Sequence, residues 1–349
     1  MNIRENMKVS ICIAVYGVEQ YIERCARSVF EQTYSEIEFI FVNDCTKDKS
    51  IEVLEKVVDE YPGRKEHVRI ICHEHNKGLA GARNTAVENA TGDFIFWLDS
   101  DDYLDVTAID KVVKKQMHTN ADIIITDFLK LCNGYNEYVA QKNTENPQEF
   151  IHKILRDECE HWLCGKLIRL SLYKKYGIKA LEGANMGEDF QVCPQLMSYA
   201  NKLAYVAEPL YIYDMRNVSS YGHSVTENVQ WQRWLSYDVV KKALPYEDYK
   251  DDLEFQQMQM CYFQLKSFYK SPQTLSVKYY NYLIKRLQEI THEQLDNYVF
   301  YKRFLLKSCL KIGTVTAITK LPLSRIAFYV DIINALNEMK KKFLFIFKK

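Results

Sequence analysis

The sequence predicts an α/β protein, a mostly parallel, doubly wound sheet flanked by helices, with an α-helical C-terminal region after it. Three observations carry that expectation. Apolar, β-rich runs alternate with helical periodicity from Val9 to Leu98, as strand–helix–strand crossovers require. The strand-like runs end in polar turns that line up Tyr16, Asp44 and Asp99 to Asp102 along one rim, the side on which open α/β sheets bind ligands. From Thr226 onward the pattern changes to long helical stretches rich in Tyr, Phe, Gln and Lys, with no glycine between Gly222 and Gly313.

Composition bounds the rest. At 349 residues, 47% hydrophobic and 26% charged, the chain can bury one large core and a smaller one. Net charge is zero, so no global field argues for nucleic acid as a partner. Its distribution is uneven: from Gln256 onward there are 16 Lys and Arg against 5 Asp and Glu. Ten cysteines contain no Cys-x-x-Cys pair and no His at zinc spacing, which suits a reducing cytoplasm better than a disulfide scaffold. Residues 1–8 are polar and lack an export core, and no run of about 18 apolar residues is present for a spanning helix. A cytoplasmic protein, soluble or peripheral on the inner face of the plasma membrane, is expected.

In order, Val9–Val15 reads as a first strand ending at Tyr16-Gly17, and Glu19–Gln32 as an amphipathic helix with Tyr21, Ile22, Cys25 and Val29 on one face. Ile37–Val42 is a second strand, followed by a helix over Ser50–Tyr61 that Pro62-Gly63 stops. Val68–Cys72 is a third strand; a loop His73–Gly81 then leads to a helix over Ala82–Asn89. Phe94-Ile-Phe-Trp-Leu98 is a buried strand that runs straight into Asp99-Ser100-Asp101-Asp102. Beyond it come a helix near Thr107–Met117, a strand Ala121–Thr126, and a polar stretch Leu129–Pro147 whose Asn133-Gly134 marks a hairpin or loop.

Each strand end has a functional and a structural reading. Crowded carboxylates at Asp99, Asp101 and Asp102 suit a hard divalent cation that also takes phosphate oxygens, or a solvated turn that caps the next helix. Asp44 reads as a cap or as a partner for a nucleotide base, and Tyr16 as packing at the sheet end or as a stacking platform. Asn76 to Asn84, with two glycines, Lys77 and Arg83, offers backbone N–H groups and positive charge to a diphosphate, or is an ordinary tight turn. It is neither a Walker loop nor Gly-x-Gly-x-x-Gly.

Taken together, Val9 to Tyr16, the turn Val42-Asn-Asp-Cys-Thr-Lys-Asp48, Asn76-x-Gly78 with Ala82-Arg-Asn84, and Leu98-Asp-Ser-Asp-Asp102 resemble the family 2 glycosyltransferases of bacterial surface-polysaccharide type. The resemblance implies the GT-A fold, with a Rossmann-like central sheet, and inverting transfer of a hexosyl or N-acetylhexosaminyl group from a nucleotide-diphosphate donor, a UDP-sugar for preference. It places Tyr16 against the base, Asp44 in hydrogen bond to it, Arg83 by the diphosphate, Asp99 near the ribose, and Asp101 on Mg2+ or Mn2+; Asp102 is a further possible member. Two positions depart from the family's pattern: Gly17 stands where Asn is more usual and Cys45 where Gly is common. Because Cys enters left-handed backbone space at a cost, the base-side loop is expected to take its own conformation.

The resemblance continues at Trp162-Leu-Cys-Gly-Lys166-Leu-Ile-Arg169 and at Gly187-Glu188-Asp189-Phe190, which precedes an apolar helix near Val192–Tyr199. By themselves Glu188 and Asp189 read as helix-capping carboxylates. The family carries its catalytic base here, and the matching residue is Asp189. Inverting transfer needs one carboxylate beside the acceptor hydroxyl, opposite the departing diphosphate, to take its proton. Glu188 is then an orienting or acceptor contact. Trp162 is a platform for a sugar ring or a core residue, and Lys166 a further candidate. Pro209 to Arg216 resembles the segment that closes the catalytic domain, which puts Arg216 within reach of a phosphate. His223 reads as a phosphate or metal contact or as a surface residue.

The expected organisation is a catalytic domain over 1–225, its nucleotide-sugar half over 1–105 and its acceptor half over 106–225, then a helical region over 226–349. That region ends in an amphipathic stretch Leu323–Met339 and a basic, aromatic tail, read as a membrane-surface contact that would suit a lipid-linked glycan acceptor, or as a docked helix or homo-oligomer contact. Two rival functions are weighed. A nucleotide-sugar-forming nucleotidyltransferase would show a glycine-rich loop after Val15, which is missing. A catalytically silent scaffold of polysaccharide assembly would have no need of both Asp101 and Asp189.

Overall fold

A computed structural model describes residues 7–141, 144–217, 226–270, 276–290 and 295–296. The chain divides into two compact units, Met1–Ser224 with Gln232–Pro245, and Val225–Trp231 with Tyr246–Lys349.

In the first unit the strands form a single sheet. β1 (Val9–Val15), β2 (Ile37–Asn43), β3 (Val68–Cys72) and β4 (Phe94–Trp97) lie parallel in the order β3-β2-β1-β4. The crossovers are α1 (Ile22–Phe30), α2 (Ser50–Glu60) with the short α3 (Pro62–Lys65), and α4 (Gly78–Asn89). Near-continuous Ile, Val and Phe in β1, β2 and β4 are buried on both faces, because helices cover the sheet on either side.

Past β4 the sheet becomes mixed. β5 (Tyr103–Leu104) and α5 (Ala108–Thr119) lead to β6 (Ile123–Cys132), which forms a hairpin with β7 (Tyr135–Val139) about Asn133-Gly134. α6 (Pro147–Leu155), β8 (Lys166–Arg169), α7 (Leu170–Tyr176), α8 (Glu188–Tyr199) and β9 (Leu203–Asp214) follow. β8 inserts antiparallel between β4 and β6, β9 runs parallel to β6, and β5 closes the order antiparallel to β9. This insertion carries the Trp162–Arg169 segment next to the strand that ends in the acidic cluster.

α9 (Glu227–Ala243) contributes Gln232–Ala243 to the first unit. The second unit contains α10 (Tyr246–Lys270) and α11 (Val277–Gln288). Ser276 caps α11 by accepting from the Tyr279 amide at 3.2 Å, and the Tyr279 hydroxyl donates to Gln264 at 2.6 Å. No helix among the described residues is long and apolar enough to cross a membrane. Leu323–Met339, the basic tail and His223 lie outside the described residues.

Two boundaries differ from the sequence reading. Pro62 does not merely stop α2; it occupies the first turn of α3, where its missing N–H costs nothing. α4 starts at Gly78 rather than Ala82, because its first amides find acceptors on distant residues: Asp44 takes those of Lys77 and Gly78, and Asn185 that of Ala80.

Candidate active site

The three carboxylates after β4 face three different ways. Asp99 accepts from Arg83 Nη2 at 3.1 Å through one oxygen and from the Cys164 thiol at 3.2 Å through the other. Asp102 is buried and points into the core, where the Tyr211 hydroxyl donates to it at 2.6 Å and the Asp214 amide at 2.8 Å. Burial, reinforced by the charges of Asp101 and Asp99, holds the Asp102 carboxyl well above the usual range. Asp102 is thus occupied as the anchor of the loop to β9. Asp101 is, like Asp99, only partly covered, its Oδ2 accepting from Asn217 Nδ2 at 2.9 Å and its backbone carbonyl from Arg24 at 2.8 Å.

Asp101 fits a hard cation. Its carboxylate is partly exposed and keeps lone pairs free, and among the described residues no three His, Cys, Asp or Glu side chains converge on a point. Mg2+ is commonly held by one or two carboxylates, with substrate phosphates and water supplying the remaining oxygens, and that is the donor set this loop offers.

At the β1 and β2 ends, Tyr16 is 54% exposed, leaving its ring available. Asp44 is buried: Oδ1 takes His73 Nδ1 at 2.7 Å and the Lys77 amide at 2.8 Å, and Oδ2 takes the Gly78 amide at 2.8 Å. The capping reading of Asp44 therefore holds, but across the sheet rather than along the chain. Its Oδ2 keeps one lone pair for a further donor. Cys45 lies in left-handed space at φ +59°, so the base-side loop takes the glycine-like backbone that the sequence reading expected it to avoid.

Arg83 joins the two sides of the site. Its buried guanidinium lies over the Trp97 ring at 5.2 Å. Nη2 is 3.1 Å from Asp99, 3.3 Å from Asp189 and 3.6 Å from Glu188. Nε and Nη1 are buried with no hydrogen-bond partner among the described residues, and Asp189 Oδ1 is likewise buried without one, its contact with Arg83 missing hydrogen-bond geometry. Buried polar groups left open in this way are the ones a bound ligand satisfies. Burial alone would lower the Arg83 pKa, but Asp189 and Asp99 outweigh it and hold Arg83 charged. Glu188 moves the other way: burial first, then the charge of Asp189, pushes its carboxyl up to about 8.

The remaining candidates separate. Trp162 stands edge-on to Phe128 and Tyr213, at 5.2 and 5.5 Å between ring centroids, with Lys130 Nζ 5.1 Å over its face. Lys166 is fully buried and donates to the Trp162 carbonyl, so it shapes this wall from within. Arg216 is exposed and forked onto Asp214 at 2.7 and 2.6 Å, turned to that carboxylate rather than to Arg83. Cys164, Asn217, Arg24 and Tyr211 were not singled out from the sequence. Cys164 lies inside the Trp162–Arg169 segment and Tyr211 inside Pro209–Arg216, with Asn217 next to it, while Arg24 reaches the cluster through a tertiary contact that no local spacing encodes.

The chain has relatives among known proteins. The model for glycosyl transferase family 2 matches residues 10–177, which hold Tyr16, Asp44, Arg83, the acidic cluster and Cys164. The chain carries a glycosyl transferase family 2 domain. Among curated proteins the chain is 30% identical over 213 residues to the uncharacterized glycosyltransferase EpsJ of Bacillus subtilis, covering 59% of this chain and 60% of that protein. It is 26% identical over 203 residues to the teichoic acid poly(glycerol phosphate) polymerase of Staphylococcus epidermidis, covering 57% and 27%. The chain thus spans less than two thirds of the length of either relative. Among solved structures, that of S. aureus TarS 1-349 in complex with UDP-GlcNAc superposes with a TM-score of 0.72 at 18% identity, covering 94% of this chain and 92% of that one, a likeness of fold.

Proposed function

We propose that the chain transfers a hexosyl or N-acetylhexosaminyl group from a UDP-sugar to a hydroxyl of a growing surface glycan, with inversion and with a divalent cation bound at Asp101. The observation that carries this reading is the Arg83 guanidinium, which stands with two open nitrogens between Asp99 and Asp189, whose Oδ1 is buried without a hydrogen-bond partner. Arg83 binds diphosphate oxygens from the interior side. Tyr16 stacks on the base, Asp44 Oδ2 accepts from it, and Asp99, oriented by Arg83 and Cys164, meets the ribose. Mg2+ or Mn2+, when bound, neutralises the departing diphosphate.

Asp189 takes the proton of the acceptor hydroxyl as the new C–O bond forms on the face opposite the leaving group. Glu188, neutral near pH 7, donates a hydrogen bond and adds no charge to repel the base. The Trp162 wall, continuous with Tyr213, borders the acceptor side. The UDP and glycan assignments draw support from the neighbour solved with UDP-GlcNAc and from relatives named as glycosyltransferases and as a teichoic acid poly(glycerol phosphate) polymerase. The acceptor, on this reading, is lipid-linked and met at the cytoplasmic face of the membrane.

The test is a thermal-shift screen of nucleotide-sugars with and without Mn2+, followed by nucleotide release and transfer assays. The expected result is a Mn2+-dependent shift with a UDP-sugar, lost in Asp101→Ala. Asp189→Asn keeps the shift and loses turnover. A shift indifferent to chelation would remove the cation, and full turnover by Asp189→Asn would remove the base.

A further inference from the structure

α8 begins without a side-chain cap. Gly187 occupies its N-cap position at φ +87°, and it has no side chain with which to fix the turn that presents Glu188 and Asp189. α9 fixes it instead. Gln232 Oε1 accepts from the Met186 amide at 2.9 Å, and the Ser236 hydroxyl lies 2.9 Å from the carbonyls of both Met186 and Gln232. Ser236 also accepts from Gln191 Nε2 at 2.9 Å, and Gln191 Oε1 accepts from the Leu181 amide at 2.7 Å. Gln191, Ser236 and Gln232 are all buried. A Cβ on Gly187 would meet Ser236 Oγ at 3.1 Å, so the turn and α9 approach as closely as a glycine permits.

We propose that Gln232 and Ser236 are positioning residues for the turnover step. They hold the Met186-Gly187 turn so that the first turn of α8 keeps its carboxylates against Arg83, at the geometry the acceptor needs. The inference rests on the reading of Asp189 as the base. A buried polar network has one arrangement that satisfies every member, which makes it a rigid support. Rigid support matters because a misplacement of roughly 1 Å can cost about 100-fold in rate. Both residues lie beyond residue 225, in a helix that sequence patterning assigns to the C-terminal region and not to the catalytic one.

The test uses the full chain with Mn2+ and whichever nucleotide-sugar gives the largest shift in the screen above. It follows nucleotide release with water as acceptor in Gln232→Leu, Ser236→Ala and Gln232→Glu. We expect kcat to fall about 10-fold or more in the first two while donor KM stays within about twofold, the division expected of a group that acts only in the transition state. Hydrogen exchange at the Met186 and Gln191 amides should quicken in both. Gln232→Glu, which keeps the acceptor oxygen, should recover most of the rate. Wild-type kcat in Gln232→Leu and Ser236→Ala overturns the proposal, as does a loss in all three variants that merely follows the unfolding midpoint. Asp189→Asn assayed alongside separates the two readings: an inactive Asp189→Asn with active strap variants overturns the strap alone. An active Asp189→Asn removes the base, while slowed strap variants would still place Gln232 and Ser236 behind the start of α8.

Discussion

Glu188 and Asp189 are adjacent in sequence, yet their surroundings ask different things of them. Asp189 faces Arg83 at 3.3 Å, while Glu188 lies 3.6 Å from the same nitrogen, deeper, with its carboxyl raised to about 8 by burial and by Asp189. A carboxyl whose folded pKa exceeds its unfolded one retains its proton in the native state after the unfolded chain has lost it. The native state is therefore favoured below the unfolded pKa near 4.5 and loses that advantage as pH rises towards 8. Glu188→Gln, which copies the neutral form, is expected to match the wild type at pH 5 and to exceed its melting temperature at pH 8.5. Differential scanning calorimetry at the two pH values checks this, and a gap that stays constant with pH would show that Glu188 is ionised in the native state. Cys45 makes the same point about surroundings. Its left-handed backbone costs about 1–2 kcal/mol, and the loop imposes it by holding the Asp44 amide to Val15 at 3.1 Å and the Thr46 amide to Asn43 Oδ1 at 2.9 Å.

At the scale of elements, α4 shows why some boundaries cannot be read locally. The sequence places its start at Ala82, since Gly78 and Gly81 look like loop residues. The cap is Asp44, from the far end of β2, 33 positions away from Lys77 in sequence. Asp44→Ala would strand the Lys77 amide and His73 Nδ1 and leave the Gly78 amide only its 3.1 Å bond to Asn76 Oδ1, and each buried group left without its partner costs about 1–3 kcal/mol. We expect a loss of about 2 kcal/mol in urea unfolding. Faster hydrogen exchange confined to the first turn of α4 would place that loss at the cap. By contrast the spans of β1, β2, β3 and β4 were legible almost to the residue, because each is a largely apolar run bounded by polar turns. The carboxylates Asp99, Asp101 and Asp189 were legible too, through motif resemblance. What stayed hidden were partners supplied across the fold: Cys164 on Asp99, Tyr211 on Asp102, and β8, whose Lys166 and Arg169 disguise a strand that is antiparallel on both sides.

At the scale of the whole site, one buried cation faces three carboxyl groups drawn from both halves of the sheet. Arg83 comes from α4 on the parallel side, Asp99 from the end of β4, and Glu188 and Asp189 from α8 beyond the antiparallel insertion. Removing one partner of a buried ion pair leaves the others uncompensated and costs about 3–5 kcal/mol. Arg83→Met keeps an apolar body against Trp97 while deleting the charge, so it isolates this electrostatic role. The carboxyls of Asp99 and Glu188 are already raised by burial despite Arg83, which pulls both down. Without it they rise further, and the native state of the variant binds protons that the unfolded chain has released. Stability of Arg83→Met must therefore climb as pH falls, and its deficit of about 3 kcal/mol or more at pH 8 should shrink markedly by pH 5. Chemical denaturation of both proteins at the two pH values measures this directly. A deficit equal at both would mean that Arg83 holds the site by packing on Trp97, and its place between donor and base would have to be explained by shape instead of charge.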